Sequence, residues 1–290
     1  MALKIAIQGI ENSFHHLAVQ QLFPNEEFEL VECSSFENVS KSISDVEADL
    51  GVIAIENTIA GSILPNYNLI DSANLNILDE TFLTIEMYLM ALESESIHDI
   101  DEVHSHPVAL QQCKEYLQRL QPHCKIIEGK DTASEAKRIK DNNLRGVAAI
   151  AGKQVAEKLG LKILDKNIQT IKNNKTRFVV LGRNVSENNE QTNKASIKFD
   201  LGHEVGSLSN VLQLLSTFDI NLTKIQSFPI EGKPWQYSFF IDVLFKDYTL
   251  FKDVVQMMEK AVTNLKILGT YKHNLENTPS SLNKELIYGE

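Results

Sequence analysis

Cysteine is scarce in this chain: Cys33, Cys113 and Cys124 are the full set, an odd number with no CxxC spacing. That excludes a disulfide framework and a zinc ribbon, and leaves reduced thiols as the simplest reading. Long apolar runs are also missing, and Met1 to Gln8 passes into a strand pattern without a basic leader, so a cytoplasmic place is expected. Positive charge is in deficit, with 28 Lys and Arg against 39 Asp and Glu and a formal net charge of −11. Bulk attraction to nucleic acid or to an anionic membrane is therefore not expected. Neither GxGxxG nor a P-loop occurs, and no carboxylate or cysteine completes a ligand set around His104 and His106. No cofactor and no metal are expected on those grounds. Cys113 falls on the apolar face of its helix and reads as core.

What is present is a chain of 290 residues, 43% hydrophobic and 23% charged, long enough for two domains. Leu3 to Gln8 reads as a strand broken by Gly9, with Asn12 or Ser13 capping a helix whose apolar face is Phe14, Leu17, Ala18 and Leu22. Asp49 to Ile55 is a continuous buried-type strand. After ENTIAGS a helix is expected with Ser62 as cap and Pro65 in its first turn. Phe82 to Leu92 crosses toward a second lobe. There Ser105 or His106 caps a helix running through Leu120, and Thr132 with Glu135 forms a capping box ahead of a helix to Asn142. Lys162 to Leu164 then returns toward the first lobe.

This alternation predicts an α/β domain of two lobes, about 1–79 plus 164–183 and about 80–163. The loops at 9–13, 56–62, 104–107 and 130–134 should meet at the carboxyl edges of the strands, each opening a helix whose amino end favours negative charge. Such a cleft suits a polyanionic ligand, carboxylates sooner than phosphates. NKTRFVVLG, Asn174 to Gly182, places a hydroxyl, a guanidinium and a ring at the start of a buried strand. Polar residues 184–193 read as a linker. Residues 194–273 then follow the order βαββαβ, a ferredoxin-like split arrangement, and 274–290 read as a tail.

Several stretches together resemble the prephenate dehydratase family with a carboxyl-terminal ACT domain. They are Glu56, Asn57, Thr58, Gly61 and Ser62; Ser105, His106, Pro107, Ala109, Leu110, Gln112 and Cys113; Asp131, Thr132 and Ala133; and Thr176, Arg177 and Phe178. Gly206, Ser207 and Leu208, with Asn221 and Leu222, are similar to the family's ACT segments. Two places depart from the pattern. Asn12 stands at the second glycine of the first loop, where asparagine tolerates a left-handed turn. Gln226, Ser227, Phe228 and Pro229 stand where the family has ESRP.

The resemblance implies dehydration and decarboxylation of prephenate to phenylpyruvate, with periplasmic-binding-protein-like lobes around the cleft. It assigns the proton donor to Thr176. Substrate binding falls to Glu56, Asn57, Thr58, Ser105, Gln112, Thr132, Ala133, Arg177 and Phe178, with Arg177 clamping a carboxylate and Phe178 as pocket wall. A threonine hydroxyl is a very weak acid, so a relay through Glu56 or His106 is expected. The resemblance further implies a homodimer or homotetramer with L-phenylalanine as negative effector, held between two subunits near Val205, Gly206, Ser207, Leu208, Asn221, Leu222, Gln226 and Ser227. Arogenate dehydration, and amino-acid sensing without catalysis, are the rival readings.

Overall fold

The computed structural model describes residues 2–120, 123–185, 192–230 and 232–275, together with Ser280 and Leu282. The chain opens with β1 (Leu3–Gln8), α1 (Phe14–Leu22), β2 (Phe28–Cys33), α2 (Phe36–Ser44), β3 (Leu50–Asn57), the short β4 (Gly61–Ser62), α3 (Leu64–Ser72) and β5 (Asn76–Thr84). It continues with β6 (Tyr88–Ala91), β7 (Glu102–Ser105), α4 (Pro107–Gln112), α5 (Lys114–Leu120), β8 (Lys125–Glu128), α6 (Thr132–Asp141), β9 (Val147–Ala151), α7 (Lys153–Leu159) and β10 (Lys162–Asp165). Then come β11 (Lys175–Gly182), β12 (Lys194–Leu201), α8 (Ser207–Thr217), β13 (Asn221–Pro229), β14 (Tyr237–Leu244), α9 (Tyr248–Met258) and β15 (Thr263–Tyr271).

Three sheets result. The first runs β2-β1-β3-β11-β5 with β4 on β3, the second β10-β6-β9-β7-β8, and the third β13-β14-β12-β15. In the first, β1 is parallel to β2 and β3, while β11 enters antiparallel between β3 and β5. Both β3 and β11 are covered on both faces, which explains their unbroken apolar runs. The third sheet is antiparallel in the ferredoxin-like order, with α8 and α9 contributing to its core. Its far edge meets the first lobe closely: Gly269 of β15 packs against the Ile77 carbonyl of β5, leaving no room for a Cβ. Among the described residues no helix is long and apolar enough to cross a membrane.

Several expectations need correction. β5 stays in the first sheet through Thr84, and β10 pairs with β6 in the second, so the lobes exchange after Thr84 and before Lys175. Ser62 is not a helix cap. It pairs with Glu56 in a hairpin, and α3 starts after Ile63 with Pro65 in its first turn. The helix from Pro107 breaks at Cys113 into α4 and α5. Asp131, not Thr132, caps α6, accepting from Ser134 N at 2.7 Å. The strand β2 and helix α2 were not expected. β2 lies at the edge of its sheet with half-exposed side chains, so it lacks an apolar run. Residues 186–191 of the linker lie outside the described residues. In the tail, Ser280 N donates to the Leu22 carbonyl at 2.7 Å, and Leu282 packs on the first lobe's core.

Candidate active site

β11 is the return crossing, and its pairing with β3 sets Thr176 opposite Asn57 and Arg177 opposite Glu56. Successive strand side chains point to opposite faces. Thr176 and Asn57 therefore share one face, while Arg177 and Glu56 share the other.

On the first face Asn57 bonds the threonine, and two further buried amides, Asn174 and Gln112, bond Asn57. Asn57 Oδ1 accepts from the backbone N–H groups of Ile59 (3.0 Å) and Ala60 (2.9 Å). A backbone N–H can only donate, so the Asn57 amide is held with Nδ2 on the other side. From there Nδ2 donates to Thr176 Oγ1 at 2.9 Å, to Asn174 Oδ1 at 2.6 Å and, more distantly, to the Lys175 carbonyl at 3.2 Å. Asn174 Nδ2 donates to Gln112 Oε1 at 3.1 Å, and Gln112 Nε2 reaches back to Asn57 Oδ1 at 3.4 Å. Thr58 braces the same corner: its Oγ1 accepts from Lys175 N and its own N–H donates to the Lys175 carbonyl, both at 2.9 Å. Thr176 is 8% exposed.

The other expected residues fall in different places. Ser105, fully buried, donates its hydroxyl to the Ile150 carbonyl at 2.6 Å. Thr132 opens α6, and Ala133 lines a separate part of the interlobe cleft with Ile10, Glu11, Asn12, Lys137 and Lys158. There the first loop reaches the second lobe: Ile10 packs on its core and Lys158 Nζ lies 3.4 Å from Glu11 Oε1. Gly9 and Asn12 both adopt left-handed backbone (φ 96° and 67°), so asparagine keeps the turn as expected. Phe178 is core, edge-on to the buried ring of His15 at 5.1 Å. Burial pushes His15 down to about 3, and its neutral Nε2 accepts from Ala54 N at 3.2 Å.

Neither expected relay residue bonds to Thr176. His106 Nδ1 caps α4 by accepting from Val108 N at 3.2 Å. The Glu56 carboxylate faces away, 2.9 Å from Lys224 of the C-terminal domain.

Arg177 also departs from expectation, because its guanidinium is held on the opposite face by three partners there. Nε donates to Glu80 (2.6 Å), Nη1 to Asp242 (2.5 Å) and Nη2 to the Tyr271 hydroxyl (2.7 Å). Lys194 adds a second cation on Glu80 at 2.8 and 2.9 Å, and His273 Nδ1 lies 2.6 Å from the same carboxylate. Burial alone would push Glu80 up, but Arg177, His273 and Lys194 together hold it well below the usual carboxylate range. These charges join the first lobe to the third sheet. No functional role was expected for Asn174, Glu80, Lys194, Asp242 or Tyr271. The visible clues were an amide two residues before Thr176 and an acid inside the apolar stretch ILDETFL.

Among the described residues no group of three or more His, Cys, Asp or Glu is placed to hold a metal ion. The arrangement can present a hydroxyl whose oxygen already accepts from an amide, so that its proton is turned away from Asn57.

A two-lobed α/β domain with an amide-held hydroxyl at the lobe crossing, backed by a βαββαβ domain, defines a class of cleft enzymes. Within that class the chain belongs to the prephenate dehydratase family, whose model matches residues 5–186. The Arabidopsis thaliana chloroplastic arogenate dehydratase/prephenate dehydratase 2 is 32% identical over 283 residues, covering 93% of this chain and 72% of that protein. Among solved structures, a prephenate dehydratase from Arthrobacter aurescens in complex with L-Phe superposes with a TM-score of 0.84 at 22% identity, covering 98% of this chain and 94% of that one. A structure described as a quorum quenching acylase, GqqA, superposes with a TM-score of 0.82 at 26% identity, covering 94% and 99%.

Proposed function

We infer that this enzyme converts prephenate to phenylpyruvate, water and carbon dioxide, with Thr176 as proton donor. The observation that carries this reading is the fixed polarity of the Asn57 amide. With Nδ2 donating to Thr176 Oγ1, the threonine proton is turned away from Asn57, and negative charge developing on Oγ1 is met by a donor already in place. In the reaction the ring C–O bond breaks as the hydroxide takes the Thr176 proton and leaves as water. The electrons of the bond to the ring carboxylate move into the ring, which becomes aromatic as carbon dioxide departs. Solvent returns a proton to Oγ1, so the substrate dianion and one proton yield the product anion, water and carbon dioxide. The side-chain partner of Thr176 is one neutral amide, Asn57, which suits proton donation better than the base-activated nucleophile that acyl transfer needs.

The C-terminal domain reads as an ACT module binding L-phenylalanine between two copies of the chain. Val205 is fully exposed, Gly206 holds the left-handed turn (φ 87°) before α8, and β13 is an edge strand with alternately exposed side chains. The ligand in the Arthrobacter aurescens neighbour points the same way, and the reduced, buried cysteines fit a cytoplasmic enzyme.

The test is incubation with prephenate at neutral pH, following phenylpyruvate, with arogenate in parallel. Turnover of prephenate supports the assignment, a strong preference for arogenate moves it to that substrate, and no turnover of either by folded protein overturns it. For the effector, calorimetry with L-phenylalanine should give heat that vanishes when residues after Asn184 are removed. Heat unchanged by that truncation places the ligand in the cleft.

A further inference from the structure

Asn174 takes no part in the proton transfer, yet it is completely buried and joins the two lobes. It sits one residue before β11, where the chain returns to the first lobe. Its backbone carbonyl accepts from Ile85 N at 2.8 Å, just after β5, where the chain leaves that lobe. Its side chain spans the same divide, taking a hydrogen bond from Asn57 of the first lobe (2.6 Å) and giving one to Gln112 of the second (3.1 Å).

The direction of every bond in this ring follows from two backbone groups. Ile59 and Ala60 N–H fix Oδ1 of Asn57, so Asn174 must meet the donor Nδ2 with an acceptor. Its own Nδ2 then faces Gln112, which must answer with Oε1 and is left with Nε2 toward Asn57 Oδ1. Only a side chain that accepts on one side and donates on the other closes the ring. The Asn57 amide that holds Thr176 is thus oriented from behind by a residue whose bond to Gln112 exists only while the lobes keep this arrangement.

We propose that Asn174 is a positioning residue for the proton-donating threonine, linking the lobe arrangement to the setting of the Asn57 amide. The proposal rests on Thr176 being the donor. Asn174→Asp separates position from bulk, because it keeps the size and the acceptor but loses the donor. The ionised form cannot donate to Gln112, and a flipped Gln112 would set Oε1 against Asn57 Oδ1. The protonated form restores the asparagine pattern: its carbonyl accepts from Asn57 and its O–H donates to Gln112.

The measurement is steady-state turnover of prephenate by the full chain between pH 5 and 8, with thermal melting as the fold control. For Asn174→Asp, kcat should fall by about 10²-fold at pH 8, the scale of a small misplacement of a reacting group. KM should move much less, and activity should recover toward wild type as the pH falls and the buried carboxyl takes up its proton. In a Thr176→Val background, the same change should leave the residual rate where it was. Should Asn174→Asp not fold, Asn174→Gln, which keeps both donor and acceptor but lengthens the arm, is read for the same split of kcat from KM. Unchanged kcat at pH 8, a loss that is flat with pH, or a further loss in the Thr176→Val background overturns the proposal while wild-type turnover stands. Absence of wild-type turnover overturns the dehydratase reading, and this proposal with it.

Discussion

The two faces of β11 carry adjacent residues into opposite kinds of polar environment. On one face, Thr176 meets a neutral amide, Asn57, whose direction is fixed by backbone donors. Behind it, Arg177 meets full charges: Arg177 and Lys194 against Glu80 and Asp242, with Tyr271, Ser196 and His273 filling remaining lone pairs and donors. The difference shows what each face is for. A hydroxyl that must give up its proton needs a neighbour that donates to its oxygen and leaves the proton free. A strand that must keep its place against another domain needs its buried charges paired, because a buried ion is tolerable only when paired.

The sharpest way to break this comparison is to remove the hydroxyl alone. Thr176→Val keeps the β-branched shape and should lower kcat by about 10²- to 10⁴-fold, the range of general acid catalysis, with little change in melting temperature. An unchanged kcat would make the cleft face merely structural. Arg177→Met should do the reverse. It leaves Glu80 and Asp242 short of a buried partner and should cost about 3–5 kcal/mol in urea unfolding. If stability held and only KM for prephenate rose, Arg177 would belong to the substrate after all.

A smaller effect should appear at Asp79, beside Glu80 on β5. Burial, opposed by bonds from Ser280 and the Glu80 N–H, raises its carboxyl from 3.8 to about 6. An acid whose folded pKa is raised binds its proton more tightly in the folded state, so wild type loses stability as the pH rises from about 4 through about 6. Asp79→Asn does not titrate, and should be more stable than wild type at pH 7.5 by about 1–3 kcal/mol, with the gap closing near pH 4. A gap independent of pH would show that Asp79 is not the titrating group. The smallest change is expected for Lys224→Met, which removes the ion pair with Glu56. That carboxylate is 38% exposed, so the coupling is screened and the cost should stay near 1 kcal/mol in urea melts. A cost as large as that of Arg177→Met would place Glu56 in the buried charge cluster.

Much of this molecule can be read from its residues. The apolar runs of β3 and β11 mark central strands because both faces are covered, and the βαββαβ order of the C-terminal domain follows from alternation and length. β2 escapes notice because an edge strand needs no apolar run. Ser62 reads as a cap because serine before a proline commonly is one, yet the chain uses it in a hairpin on β3. The tail after His273 carries no periodic pattern, but Ser280 and Leu282 are tied to the first lobe by contacts that no local pattern encodes.

Local sequence was sufficient to place Thr176 and Arg177 at the start of a buried strand, whose alternation puts the two side chains on opposite faces, although Arg177 was expected to join Thr176 on the substrate. It also put an amide two residues ahead of the threonine. Only the tertiary structure decided what each face meets. Asn57, Gln112 and Asn174 lie far apart along the chain, and so do Glu80, Arg177 and Asp242, and strand pairing and domain docking bring each set together. Hydrogen bonds and ion pairs act over a few ångströms, whereas their partners here are separated by tens of residues or more. The partners of Thr176 and Arg177 are therefore properties of the fold.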